Sequence, residues 1–262
     1  MRLSISNIAW TDEQDKDMYG VLKEYGFDAL EIAPTRIFAT KPYDRIEEAS
    51  KWKQELYSEY GLNVSSMQSI WYGMQEKVFG TEEERNILIE YTKKAIDFAK
   101  AINCKNLVFG CPRNRNVLEG VDMDIAIPFF KEIGDYAYAS GCVIGMEANP
   151  TIYNTNYINE TKDALDLIER VDSKGFLLNL DMGTMIQNNE NIEILVGNVN
   201  KINHVHISEP GLKPIEKREI HNRLKEILDN EGYSRYVSIE MGKVDDIEVV
   251  KNVMRYVRSV FA

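Results

Sequence analysis

The chain has 262 residues, 44% of them hydrophobic, which is ample for a sizeable core, and its formal net charge is −11. So acidic a balance argues against a nucleic acid partner, which is usually met by a basic face. The opening MRLSISNIAW lacks a long apolar stretch and no segment approaches the ~20 apolar residues of a membrane span, so a soluble, cytoplasmic protein that engages neither nucleic acid nor membrane is expected.

Eight short apolar runs rich in β-branched residues read as strands, with helical patterns between them. LSIS from Leu3 comes first, followed by Thr11 and Gln14 at the spacing of a capping box and by Gly26 as a helix stop. ALEI from Ala29 is the second run; Asp44 and Glu47 then repeat the box in its Asp variant, and Gly61 ends that helix. VSSMQSI from Val64 is the third, before a third box at Thr81 and Glu84. NLVFG from Asn106 is the fourth, with Gly141 closing the helix after it. VIGMEA from Val143, FLLNLD from Phe176, HVHIS from His204 and VSIEM from Val237 complete the set.

Eight strand-helix alternations of this length specify parallel βαβ units, and the expected fold is α/β, a (β/α)8 barrel forming one domain over residues 1–262. An open doubly wound sheet is the second choice, but no GxGxxG or Walker A follows any strand. Cys104, Cys111 and Cys142 have no metal-ligand or redox spacing and read as reduced core residues.

In a barrel the active site lies where strands end and βα loops begin. The last four strands end on Glu147, Asp181, His206 and Glu240. Neighbouring parallel strands lie about 4.8 Å apart, so these side chains can aim at one point above the mouth. Three carboxylates there repel one another unless a divalent cation intervenes, and with one imidazole they suit Mn2+, Mg2+ or Co2+ better than Zn2+. Any one such acid, taken alone, reads equally as a solvated loop residue; four successive strand ends do not. His204 shares a face with His206, either lining the barrel beneath it or serving as a hydrogen-bonded core histidine. His221, in KREIHNRLKEIL, reads as a helix-surface residue.

These residues resemble the xylose isomerase-like barrel superfamily, in particular its sugar phosphate isomerase/epimerase group with the D-tagatose epimerases and inosose dehydratases. The resemblance spans the chain and is most specific between Val143 and Gly242, where the family's metal-binding Glu, Asp, His and Glu match Glu147, Asp181, His206 and Glu240. HVHISEP resembles the seventh-strand motif, in which the second histidine binds metal and an acid, here Glu209, follows three residues later. Where many members carry a substrate-contacting His, three residues after the sixth-strand Asp, this chain has Thr184.

The resemblance implies a metal-dependent sugar or sugar phosphate isomerase/epimerase working by proton abstraction next to a carbonyl, through an enediolate, with Glu147 and Glu240 as the acid-base pair. A dehydratase of a sugar or cyclitol, or a barrel that binds a ligand without catalysis, is the alternative. Further rim residues are Asn7, Trp10, Glu31, Gln68, Trp71 and Asn149, the tryptophans either packing on a sugar or covering the core. Arg36, Arg113, Arg115 and Lys213 lie in the same loops, and read either as ordinary surface charge or as contacts to an anionic sugar derivative. The sequence leaves open whether the chain forms a homo-oligomer.

Overall fold

The computed structural model describes residues Met1–Ala262. Its strands are β1 (Arg2–Ser6), β2 (Ala29–Ile32), β3 (Asn63–Met67), β4 (Asn106–Phe109), β5 (Val143–Met146), β6 (Phe176–Asp181), β7 (Ile202–Ile207) and β8 (Tyr236–Ile239). All neighbours are parallel and β8 returns to β1 with Arg2 opposite Tyr236, closing the barrel in sequence order. Between and after the strands run α1 (Asp15–Glu24), α2 (Pro34–Ile37), α3 (Ile46–Tyr60), α4 (Glu82–Ala101), α5 (Ala126–Ala139), α6 (Thr161–Val171), α7 (Met182–Asn188), α8 (Glu219–Asn230) and α9 (Ile247–Phe261). The α/β barrel expected from the alternation is the fold observed.

The main core lies between barrel and helices. Alternate strand residues such as Leu3, Ile5, Leu107, Phe109, Val205 and Ile207 belong to it, because successive side chains point to opposite faces of a strand. On one side it is aromatic, with Phe109 4.7 Å from Trp71 and 5.0 Å from Phe130, centroid to centroid, in edge-to-face contacts. The other strand face is polar and buried: Ser4, Glu31, Ser66, Asn106, Asn179 and His204. Asn106 Nδ2 donates to Ser66 Oγ at 2.9 Å and lies 3.4 Å from Asn179 Oδ1, linking β3, β4 and β6 through the barrel interior.

Two expected helix starts form as read. Gln14 Oε1 accepts the Thr11 N–H at 3.1 Å, and Thr81 and Glu84 exchange hydrogen bonds of 2.8 and 3.3 Å. The box at Asp44 does not form. Asp44 ends a short 3-10 turn, Pro42–Asp44, and pairs with Lys94 at 3.3 Å, so α3 starts behind Arg45 without a side-chain cap. Proline at the first position of that turn sets its backbone one residue too early for Asp44 to reach the helix.

Helix α5 passes very close to the turn before β6. A Cβ on Gly175 would lie 2.1 Å from Gly134 O and 2.7 Å from Tyr138 N, both backbone atoms. Gly175→Ala should therefore lose about 1–3 kcal/mol in urea unfolding, because backbone cannot give way as a side-chain tip can. An unchanged midpoint would show that α5 can be displaced freely.

Candidate metal centre

Glu147 and Glu240 follow β5 and β8, Asp181 ends β6, and His206 lies in β7, all at the C-terminal end of the barrel. One ligand atom from each lies within 4.8 Å of the others, so the four strand ends chosen from the sequence do converge. His206 Nδ1 is 3.0 Å from Glu147 Oε1 and 3.2 Å from Glu240 Oε2. Its Nε2 faces Glu31 Oε2 at 2.8 Å, which holds the ring with Nδ1 turned toward the other carboxylates. A carboxylate on the far nitrogen is the usual support of a metal-ligating histidine. The donor set of three carboxylates and one imidazole fits a divalent cation.

Each acid has its own support. Asn179 Nδ2 donates to Glu147 Oε1 at 2.8 Å, and Asn149 Nδ2 to Glu147 Oε2 at 3.0 Å. Asp181 accepts the Thr184 N–H at 2.8 Å and the Ser208 hydroxyl, which in turn accepts the Gly183 N–H at 2.7 Å. Burial raises Asp181 above the usual carboxylate range, and Glu147 adds to the effect. Burial pushes Glu240 up to about 7, against the lowering influence of His206. Burial would depress His206, yet Glu31 and Glu240 hold it well above the ordinary imidazole value. Burial likewise opposes ionisation of Glu31, and the two imidazoles outweigh it, so that acid lies far below its usual range. For His204, 3.1 Å from Glu31, burial dominates and the value is lowered.

Gln68, Asn149 and Glu209 border the cavity of about 160 Å3 above these acids, together with Tyr153 and Ser208. Gln68 Nε2 donates to Ser6 Oγ and Glu31 Oε1 at 2.8 and 3.2 Å. Glu209 is clamped by Arg218, whose Nε and NH2 donate to its two oxygens at 2.7 and 2.6 Å.

Other expected rim residues are used elsewhere. Asn7 is buried beneath the loop after β2, where its Oδ1 accepts the Ala33 N–H at 2.9 Å. The Trp10 indole donates to Asp15 at 2.8 Å, and Arg36 completes that group by pairing with Asp15 at 2.9 Å. Trp71 donates to Thr92 at 2.8 Å inside the aromatic core. Arg115 is wholly buried: NH1 donates to Glu147 O at 2.8 Å and NH2 to Asn149 Oδ1 at 2.9 Å, so it braces the loop after β5 and cannot reach a ligand. Arg113 is exposed and lines an adjoining chamber with Tyr72 and Met74, while Lys213 is exposed and borders neither space. His204 lies inside the barrel beside Glu31, away from the mouth. Thr184 is buried too; its hydroxyl lies 2.8 Å from both Asp181 Oδ2 and Ala148 O and, with one hydrogen, donates to one at a time. Its place is behind Asp181, holding that carboxylate, and it does not face the cavity.

His221 corrects a further expectation, since it is fully buried with Nδ1 2.9 Å from the Tyr256 hydroxyl. Burial lowers its pKa to about 4. A base whose folded pKa is depressed takes its proton more readily when unfolded, so stability falls as pH drops from about 6.5 towards 4. His221→Gln should flatten that part of the stability curve in urea titrations at pH 7 and pH 5; an unchanged slope would assign it to other groups. Cys111 borders the cavity, but burial pushes its thiol up to about 12, which leaves it no nucleophilic role at neutral pH.

Asn179, Ser208 and the supporting role of Glu31 were missed in the sequence. The period of two was the available signal: Asn179 stands two before Asp181, and Ser208 two after His206.

A sequence model of the family described as "Xylose isomerase-like TIM barrel" matches residues 20–260. No curated protein matches the chain by sequence. Among solved structures, the apo 3-keto-D-glucoside 4-epimerase YcjR from E. coli superposes with a TM-score of 0.77 at 20% identity, covering 99% of each chain. D-psicose 3-epimerase from Clostridium cellulolyticum H10, solved with D-tagatose, gives 0.78 at 16% identity over 100% of this chain and 99% of that one. The IOLI protein with a bound zinc atom gives 0.71 at 16% identity over 99% and 96%. At such identities the likeness is one of fold. With the family match covering most of its length and the barrel closed as that family requires, this chain belongs to the xylose isomerase-like TIM barrels.

Proposed function

We propose that the chain is a divalent-metal-dependent isomerase or epimerase of a sugar, removing and returning a proton on carbon next to a carbonyl. The observation that carries this reading is the convergence of Glu147, Asp181, His206 and Glu240 at the barrel mouth, with two glutamates 3.0 and 3.2 Å from one imidazole nitrogen. A divalent ion bound there supplies Lewis acidity to the substrate's oxygens and offsets the charge of the carboxylates. With oxygen donors in the majority, Mn2+, Mg2+ or Co2+ suits the set better than Zn2+. That two of the similar structures are named sugar epimerases, one solved with D-tagatose, supports the same reading.

The chain's own groups would divide the work. Glu240, buried at the barrel mouth with Oε2 3.2 Å from His206 Nδ1, is placed to act as the base. Glu147, held by Asn179 and Asn149, is the partner that delivers a proton on the other side. Asp181 is fixed by Thr184 and Ser208 and acts as an anchor. Gln68, Asn149 and Tyr153 provide polar edges for hydroxyl groups.

The cavity is bordered by four acids and by no lysine or arginine, so the reacting part of the substrate is a neutral polyhydroxy carbonyl compound. An anionic extension would meet Arg113 in the adjoining chamber. Arg113→Ala should leave kcat/KM for a free ketose within about threefold and lower it roughly 10- to 150-fold for a phosphorylated counterpart that uses that chamber. Equal effects on both would remove Arg113 from substrate selection.

The direct test is solvent-deuterium exchange into a panel of ketoses, their phosphates and inososes. Exchange that stops on chelation and returns with Mn2+ supports the proposal. A metal-replete protein that exchanges none of them, or a chelated one that exchanges normally, sinks it.

A further inference from the structure

The opposite end of the barrel holds a second cavity, of about 390 Å3, where the strands begin. Arg2, Lys105 and Arg235 border it, and no aspartate or glutamate does. In a chain of net charge −11, three cations around one carboxylate-free hollow are a local inversion of the overall balance. None of the three is ion-paired. The Arg2 guanidinium lies 4.1 Å over the Tyr236 ring, and Arg235 donates through NH1 to Ile202 O and Asn203 Oδ1, both at 2.9 Å. Anchored in this way, Arg235 keeps its Nε and NH2 donors without protein partners. Asp28, at the same end, is turned to the Leu3 N–H at 3.0 Å and does not border the cavity.

A second observation points to a ligand. Ser65, 3% exposed, borders the cavity and its hydroxyl has no hydrogen-bond partner. A buried hydroxyl left unpaired is costly, and a group that supplies oxygens to the cavity satisfies it as it satisfies the cations. Planar guanidinium donors and an ammonium together match a tetrahedral oxyanion, with Arg contributing fork geometry and Lys a point charge.

We propose that this end of the barrel is a binding site for an oxyanion of the phosphate type, separate from the metal centre, with Arg2, Lys105 and Arg235 as its cations and Ser65 as a neutral partner. The bound species is either free phosphate or the phosphate group of a small molecule. The site lies among the strand starts, the face that in such barrels is normally left to stability, so it serves retention or regulation and takes no part in the reaction.

The test is titration of the full chain with inorganic phosphate, followed by amide resonances. Saturable shifts at Lys105, Asn203 and Arg235 are expected, with affinity at least tenfold weaker in Arg235→Gln and several-fold weaker in Lys105→Gln. Because Lys105 is exposed and makes no internal hydrogen bond, its variant keeps the test decisive even if Arg235→Gln folds poorly. Ribose 5-phosphate and ribose form the second arm: tighter binding of the ester than of inorganic phosphate identifies an organic phosphate, and equal binding of the two identifies the free ion. No saturation, unchanged affinity in the Lys105 variant, or shifts confined to the neighbourhood of Asp181 would each overturn the proposal.

Discussion

Glu240→Gln is expected to abolish turnover while the fold survives. The carboxamide keeps an oxygen for the metal but cannot accept the substrate's proton, and a positioned acid-base group contributes roughly 10²- to 10⁴-fold in rate. Without metal, burial raises Glu240 to about 7, so the ionised form is held at a cost and a neutral isostere should leave the thermal stability of the chelated protein unchanged or raise it. Deuterium exchange, metal content and thermal unfolding measured on one preparation separate the possibilities. Turnover within tenfold of the native enzyme, in a folded and metal-replete variant, would exclude Glu240 as the base.

The largest effect on stability is expected at Arg115. Burial lowers its pKa to about 10, so at pH 7 it remains a cation inside the protein, donating to Glu147 O and Asn149 Oδ1 at 2.8 and 2.9 Å. Arg115→Ala removes those bonds and opens a void behind the loop that carries both residues. Losing hydrogen bonds from a charged donor, leaving two buried carbonyl oxygens unpaired and opening a cavity together cost about 3–5 kcal/mol. For a chain of this size that corresponds to a fall in Tm on the order of 10 °C. Lysine should not rescue it, because a single ammonium cannot reproduce the two-pronged contact. Arg113→Ala, at an exposed position two residues earlier, should leave Tm where it is. If Arg115→Ala loses less than about 1 kcal/mol, the loop is held by other contacts.

The two arginines show what a sequence reading cannot separate. Both stand in CPRNRN, and both looked able to reach a ligand from one loop. Cys111 takes a left-handed conformation, φ 45°, and a 3-10 turn over Pro112–Asn114 then leaves Arg113 outside and folds Arg115 against the loop after β5. Thr184 is a similar case. As a substitute for a family histidine it suggested a changed substrate contact, yet its hydroxyl lies behind Asp181, at the start of α7. His221 looked like a surface residue because its helix is strongly polar, but the face it occupies packs on Tyr256 of α9.

What the sequence by itself determined is the architecture and the four strand ends that converge at the barrel mouth. Apolar runs with β-branched residues, capping boxes at Thr11 and Thr81 and glycine stops are local signals, written in neighbouring residues and legible without knowing the fold. The strand-end placement of Glu147, Asp181, His206 and Glu240 is equally local, since a strand's last residues lead into its loop wherever the strand sits. Tertiary structure decided which polar residues serve those four and which only resemble them. Asn179 reaches Glu147 from the neighbouring strand, Glu31 reaches His206 across the barrel interior, Asn7 spends its side-chain oxygen on the loop after β2, and Arg115 spends NH1 and NH2 on the loop after β5. Closing eight strands into a ring brings together residues as far apart as Glu31 and His206, and period-two alternation tells which face a side chain occupies but leaves open what stands opposite.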